Sequence, residues 1–272
     1  MSTAQKIIKY LALAFAIFII VNIISGILFG IYSVANIFGL TKSNTNKIIS
    51  NEKVVTNFEN VNLATLKIKL EYSTLVIRQG DTLKVESNSK DISCKQNNNQ
   101  LEIKENSHNW SFKNDESIVN VYLPSNIVFD DVKIEVGAGE INIEKLETKN
   151  LDFELGAGKA EIKQLNVTEI AKINGGAGKV DIISGEIHNL GLDMGVGKFE
   201  LTSKLTGKND IDAGVGKLDI NLTDGTENYK IKVSKGVGSI TIDGKNASDN
   251  TEYGDGKTFI KIDGGVGSIN VK

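Results

Sequence analysis

LDFELGAGKAEI (residues 151–162) and LGLDMGVGKFEL (residues 190–201) are two copies of one pattern. In each, apolar residues alternate up to a Gly-small-Gly triplet: Leu151, Phe153 and Leu155 in one copy, Leu190, Leu192 and Met194 in the other. After the triplet the alternation resumes one residue out of step, at Ala160 and Ile162 or at Phe199 and Leu201. Period-two alternation predicts strands with one buried face. A one-residue slip predicts a bulge or corner at the second glycine, where the lack of a Cβ tolerates the bend. The small middle residue is expected to continue the inward phase of the strand before it.

Working outward, the triplet occurs seven times: Gly137-Ala138-Gly139, Gly156-Ala157-Gly158, Gly176-Ala177-Gly178, Gly195-Val196-Gly197, Gly214-Val215-Gly216, Gly236-Val237-Gly238 and Gly265-Val266-Gly267. First glycines are spaced 19, 20, 19, 19, 22 and 29 residues apart. Two strands, a glycine corner and a polar return such as Glu147-Thr148-Lys149-Asn150 make one coil of an all-β solenoid, resembling a parallel β-helix, with a continuous narrow core. The other architecture open to this pattern is a meander of antiparallel hairpins in a sandwich. Regular repeats are expected over 131–272, with an insertion at 244–257. Lys235 falls on an inward position and marks the sixth unit as less regular. Residues 55–130 carry strand-like runs of less order, closed by Pro124, the one proline, and read as an irregular opening section or cap.

Four middle units share Gly-Lys-apolar-acid: Lys159 and Glu161, Lys179 and Asp181, Lys198 and Glu200, Lys217 and Asp219. Residues i and i+2 of a strand share a face, so stacked coils would set a lysine column beside a carboxylate column. Such a face compensates its own charge, and it is also the candidate interaction face of the molecule.

At the N-terminus no charge occurs from Tyr10 to Leu40. Residues 10–32 suffice for one membrane span, after a short tail (1–9) and before a polar tether (33–54). A cleaved signal peptide is the rival reading, but its apolar core would exceed the usual length. Gly26 and Gly30 form a GxxxG through which two such helices could pack. The repeat domain is expected to be extracellular on a single-pass cell-membrane protein.

Several function classes are excluded or unsupported. A net charge of −3 with Arg78 as the one arginine leaves no basic footprint for nucleic acid. Cys94 is alone, so neither a disulfide framework nor a cysteine metal cluster is available. His108 and His188 have no metal-ligand spacing. The Gly-Lys pairs of the triplets fail as a P-loop, because the residue after the lysine is never Ser or Thr there. Val180 and Ile269 stand where a calcium nonapeptide needs aspartate. The carboxylates recur evenly and do not converge as a catalytic pair would. No catalytic residue, cofactor or metal is expected.

Val121-Tyr122-Leu123-Pro124, then DVKIEVGAGEINIEKL and the recurring G-[AV]-G units, resemble the bacterial DUF4097 family over about residues 55–272. That family is described as candidate adhesins with β-strand repeats, some in cell-envelope stress operons. The resemblance implies a non-enzymatic surface protein touching envelope polymer, such as cell wall, or a membrane-protein partner. The alternatives are a regulatory component of an envelope-stress response and, more remotely, a polysaccharide lyase or hydrolase.

Overall fold

The glycine triplets stack on one another in register. Ala157 pairs with Ala138 and with Ala177. The ladder continues through Val196 and Val215, then Val266, then Val237. The computed structural model describes residues 54–58, 63–106 and 117–272. All lie within one compact unit, Ser50–Lys272.

Backbones approach closely at the triplets. A Cβ on Gly158 would lie 2.0 Å from the Gly139 carbonyl oxygen, and one on Gly216 would lie 1.9 Å from that of Gly197. The second glycines also hold φ between +131° and +151°, which side chains disfavour. The expected phase slip is therefore present, with one correction. The chain runs from buried Leu155 to buried Ala160 with Gly156, Ala157, Gly158 and Lys159 all turned toward solvent. The middle residue does not continue inward. It faces out because the positive-φ glycine after it turns the corner before the next inward residue.

The all-β expectation holds, and each middle coil has three ladders where two were expected. In the fourth coil (146–162), Leu146–Thr148, Asn150–Glu154 and Ala157–Ile162 each pair in parallel with the fifth coil (165–182). The first ladder continues to Gly185–Ile187 and on to Lys204–Thr206. Pairing between coils is parallel among the described residues. Antiparallel pairs are confined to the two ends.

Coil order departs from sequence order at both ends. The first coil (65–80) lies between the second (100–124) and the third (129–143). The ninth (258–271) lies between the seventh (204–222) and the eighth (229–242). The excursions needed for these reversals form the caps. Ile92–Asn97 runs antiparallel on Gln100–Glu105, and Lys84–Ser87 runs antiparallel on Ile118–Pro124, with Val54–Asn57 outside it. At the far end, Thr251–Tyr253 lies on Tyr229–Ser234 and Lys245–Asn246 on Val237–Ile242. Thus 55–130 is two coils and a cap, and the unit with Lys235 is irregular because it is outermost. The Lys235 N–H donates to Asp249 of the inserted segment.

The core is a set of columns. Ile134, Phe153, Ile173, Leu192 and Ile211 stack on one wall, and Ile141, Ala160, Val180, Phe199 and Leu218 on another, all buried. The coil that carries Phe153 carries Ala160, so bulk on one wall is matched by economy on the other. Each fully buried Leu, Ile or Phe contributes about 1.5–3 kcal/mol of transfer free energy. Asn209 is buried among them, its Oδ1 accepting from the Leu190 N–H and its Nδ2 donating to the Phe259 carbonyl. Tyr229 is also buried, donating to Asp224 and accepting from the Leu205 N–H.

The predicted span (10–32, with Gly26 and Gly30), the tether up to residue 53 and His108 lie outside the described residues. Among the described residues, no helix is long and apolar enough to cross a membrane.

Gly158→Ala should cost about 3 kcal/mol or more, combining positive-φ strain with a backbone clash. Gly191→Ala, whose Cβ would meet only the Ala171 carbonyl at 3.8 Å, should change stability by less than about 0.5 kcal/mol. Urea unfolding of both variants checks the contrast; equal losses would mean that close backbone approach is not the constraint.

Candidate functional site

The expected Lys and acid columns are present side by side. Lys159, Lys179, Lys198 and Lys217 occupy one register, and Glu161, Asp181, Glu200 and Asp219 the register two residues on. Each lysine pairs within its own strand: Lys179 to Asp181 at 3.3 Å, Lys198 to Glu200 at 2.7 Å and Lys217 to Asp219 at 2.7 Å, with Lys159 and Glu161 at 4.0 Å. Pairs also cross coils, Lys179 to Glu200 at 2.8 Å and Lys159 to Glu140 at 3.8 Å. Toward the far end the columns become neutral, with the Thr241 hydroxyl 2.9 Å from Asn270 Oδ1.

Two ammonium groups fix the charge of Glu200. Hydrogen bonds from Lys179 and then Lys198 pull its carboxyl from 4.5 down to about 2. Lys179 is pushed up, first by Glu200 and also by Asp181, and Lys217 is pushed up by Asp219. These shifts favour the charged forms of Lys179, Glu200 and Lys217.

The wall before the triplets carries a second set that sequence spacing alone did not single out. Lys133 bonds Glu135 at 2.7 Å and Asp152 at 2.9 Å, while Lys69 reaches Glu135 at 3.1 Å. Two residues before each first glycine, Glu135, Glu154, Asn174, Asp193, Asp212, Ser234 and Asp263 form one outward column. Asp210, Asp212 and Asp263 bring carboxylate oxygens within 4.8 Å of one another. Lys261 bonds Asp263 and lies 3.4 Å from Asp210. Partial burial raises the Asp212 carboxyl, and its neighbours Asp210 and Asp263 raise it further. These three are the residues that could hold a cation, in competition with Lys261. They were missed because residue 210 and residue 263 become neighbours only through the reversed coil order.

Shallow hollows lie among triplet residues of the last coils and around Pro124, each of about 10 Å³, room for roughly one water molecule and far short of a small-molecule site. His188 Nδ1 lies 2.9 Å from the Thr206 hydroxyl oxygen, a contact between adjacent coils. Burial pushes the Cys94 thiol up to about 11, which disfavours its thiolate.

The model of the family described as Toastrack DUF4097 matches residues 63–264. Three solved structures have similar folds. A candidate cell adhesion protein from Clostridium sporogenes is 22% identical, covers 81% of this chain and 98% of its own, and has a TM-score of 0.38. A candidate adhesin from Parabacteroides distasonis is 14% identical (80% and 97% covered, TM-score 0.33), and a candidate lipid binding protein from the same species is 15% identical (81% and 96%, TM-score 0.31). These scores are too low for any residue of theirs to be matched to one here. No curated protein matches the chain.

Because Glu200 is depressed in the folded state, its contribution to stability is complete above about pH 4.5 and disappears as the pH falls toward 2. Glu200→Gln should cost about 0–1 kcal/mol at pH 7 and flatten the acid limb of stability between those values. Urea midpoints measured from pH 7 to pH 2 check this; a variant with the parent's acid limb would show that the carboxylate is not held by its two lysines.

Proposed function

The chain belongs to the Toastrack DUF4097 family, and we propose that it is a non-enzymatic, membrane-anchored β-solenoid that acts outside the cytoplasm by surface contact, in the manner of an adhesin. The observation that carries this reading is the repeated face of paired charges, from Lys159 to Asp219. It is a broad, evenly spaced polar surface held on a rigid stack, suited to meeting a partner that is itself extended. The uncharged stretch from Tyr10 to Leu40 supports an anchor of the length a bilayer requires. A cell-wall polymer or the exposed part of another membrane protein has the matching chemistry. Hydroxyl, amide and charged groups on such a partner can each find a lysine or carboxylate at intervals of about 4.8 Å.

The carboxylates that meet at Asp210, Asp212 and Asp263 are held on a flat wall beside Lys261, which does not favour a lyase or hydrolase. The regulatory reading draws on Gly26 and Gly30: a helix that packs through them could relay a contact made outside.

Protease added to intact cells should remove the repeat domain, and the full-length chain in detergent should co-sediment with purified cell wall or capture a membrane protein. Substituting Lys179 and Lys198 with Glu should weaken that capture, since four adjacent carboxylates would replace the alternating pairs. Full protection of the domain in intact cells would overturn the extracellular placement. Digestion without any capture would overturn the surface-contact reading.

A further inference from the structure

The seam between the seventh and ninth coils is built differently from the seams inside the stack. The sixth and seventh coils meet through three parallel ladders, 186–188 on 204–206, 191–193 on 210–212 and 196–203 on 215–222. The seventh and ninth meet through two, 208–212 on 259–263 and 215–220 on 266–271. Among the described residues no strand carries the return ladder beyond 204–206. The Leu205 N–H there donates instead to the Tyr229 hydroxyl at 3.1 Å, and that hydroxyl donates to Asp224. One buried side chain of the eighth coil thus stands where a ladder would run.

Charge does little to hold this seam. Inner seams carry ion pairs from coil to coil, Lys179 with Glu200 at 2.8 Å and Lys204 with Glu186 at 3.1 Å. At the seam in question Lys217 and Asp219 pair with each other and stand in register with neutral Ser268 and Asn270. On the other wall Asp212 lies directly opposite Asp263, and with Asp210 their carboxylate oxygens fall within 4.8 Å of one another. Like charges this close repel. Lys261 reaches across to Asp210 at 3.4 Å and offsets part of that repulsion.

The eighth and ninth coils, by contrast, hold each other along both walls. Buried Ile231, Val233 and Ile240 stand in register with buried Ile260, Ile262 and Ile269. A Cβ on Gly236 would lie 2.0 Å from the Gly264 carbonyl oxygen. The antiparallel strands 245–246 and 251–253 then cover the outer edge of the eighth coil. We infer that residues 229–271 form one end block, which opens from the seventh coil about the connection 224–228 and is latched shut by the Tyr229 hydroxyl. The connection suits a hinge: Gly225 holds φ at 84°, and Thr226–Asn228 is a single 3-10 turn. Shut, the block covers the strand edges at 208–212 and 215–220; open, it uncovers them. Local opening in contiguous units of this size is common. The ordinary alternative is fraying from the outside, with the eighth coil leaving before the ninth. Opening of the block is independent of the surface-contact reading.

The test is thiol labelling of the full-length chain in detergent, with Cys94→Ser as background and one buried probe at a time. Ile262→Cys reports on the ninth coil, Val233→Cys on the eighth and Ile173→Cys on the middle of the stack. Ile262→Cys should label at least as fast as Val233→Cys, and both about tenfold or more faster than Ile173→Cys. Fraying would instead make Val233→Cys the faster of the two, and that order would overturn the block. So would an Ile262→Cys no faster than Ile173→Cys. Two disulfides sharpen the contrast, each joining residues in register on neighbouring strands, about 4.8 Å apart and within disulfide range. Lys217→Cys with Ser268→Cys ties the ninth coil to the seventh and should suppress labelling of Ile262→Cys. Thr241→Cys with Asn270→Cys ties the eighth to the ninth and should leave it unchanged; the reverse pattern would overturn the proposal. Tyr229→Phe should raise labelling of Ile262→Cys about fivefold, the effect of roughly one buried hydrogen bond. Asp212→Asn should lower it about threefold. No change with Tyr229→Phe would remove the latch, and no change with Asp212→Asn would remove repulsion as a cause of opening.

Discussion

Close contact between glycine backbones sets the spacing of this molecule. At the triplets there is no room for a Cβ: one on Gly176 would lie 1.8 Å from the Leu155 carbonyl oxygen, and one on Gly265 1.8 Å from that of Gly214. Because both glycine columns must stay bare, the corners from the third coil onward share the conformation of their second glycine, and that shared corner sets each triplet in register with the one it stacks on. The core columns follow from that register. So do the charge columns, since Lys179 meets Lys159 and Lys198 only because Gly178 meets Gly158 and Gly197. Repulsion within each column is offset by the column beside it, which is why Glu200 can hold two ammonium groups at 2.7 and 2.8 Å.

Much of this was legible in the chain itself. Strand phase, corner position and the Lys and acid columns depend on local periodicity, and periodicity survives without knowledge of neighbours. Three features were not legible, each for a physical reason. The return ladder through Leu146–Thr148 is short and reads as a polar turn, because Glu147 and Lys149 mask the buried Leu146 and Thr148. The outward direction of Ala157 and its equivalents is a matter of φ at the following glycine, and composition does not report φ. The order of coils is invisible because one triplet can stack on any other equally well, so only the length of the excursions at 81–99 and 243–257 hints that two coils change places.

That last point also explains where the candidate site escaped detection. The Lys133, Glu135 and Asp152 set joins adjacent coils and could have been found by sliding the repeat by 19 residues, the spacing from Lys133 to Asp152. The Asp210, Asp212 and Asp263 group could not, because Lys261 lies 51 residues from Asp210. The contrast shows how a repeat protein hides its exceptional chemistry: whatever sits at the regular spacing is readable, and whatever sits across a reversed coil is not.

The reversal at the far end carries a consequence for biosynthesis. A chain leaving the ribosome exposes the seventh coil, then the eighth, and only afterwards the ninth, yet the ninth must lie between them. The stack therefore cannot be completed by adding coils in the order in which they are translated. Until the ninth coil is made, the eighth coil and its antiparallel strands lack the surface on which they rest, and the seventh coil keeps an unpaired edge.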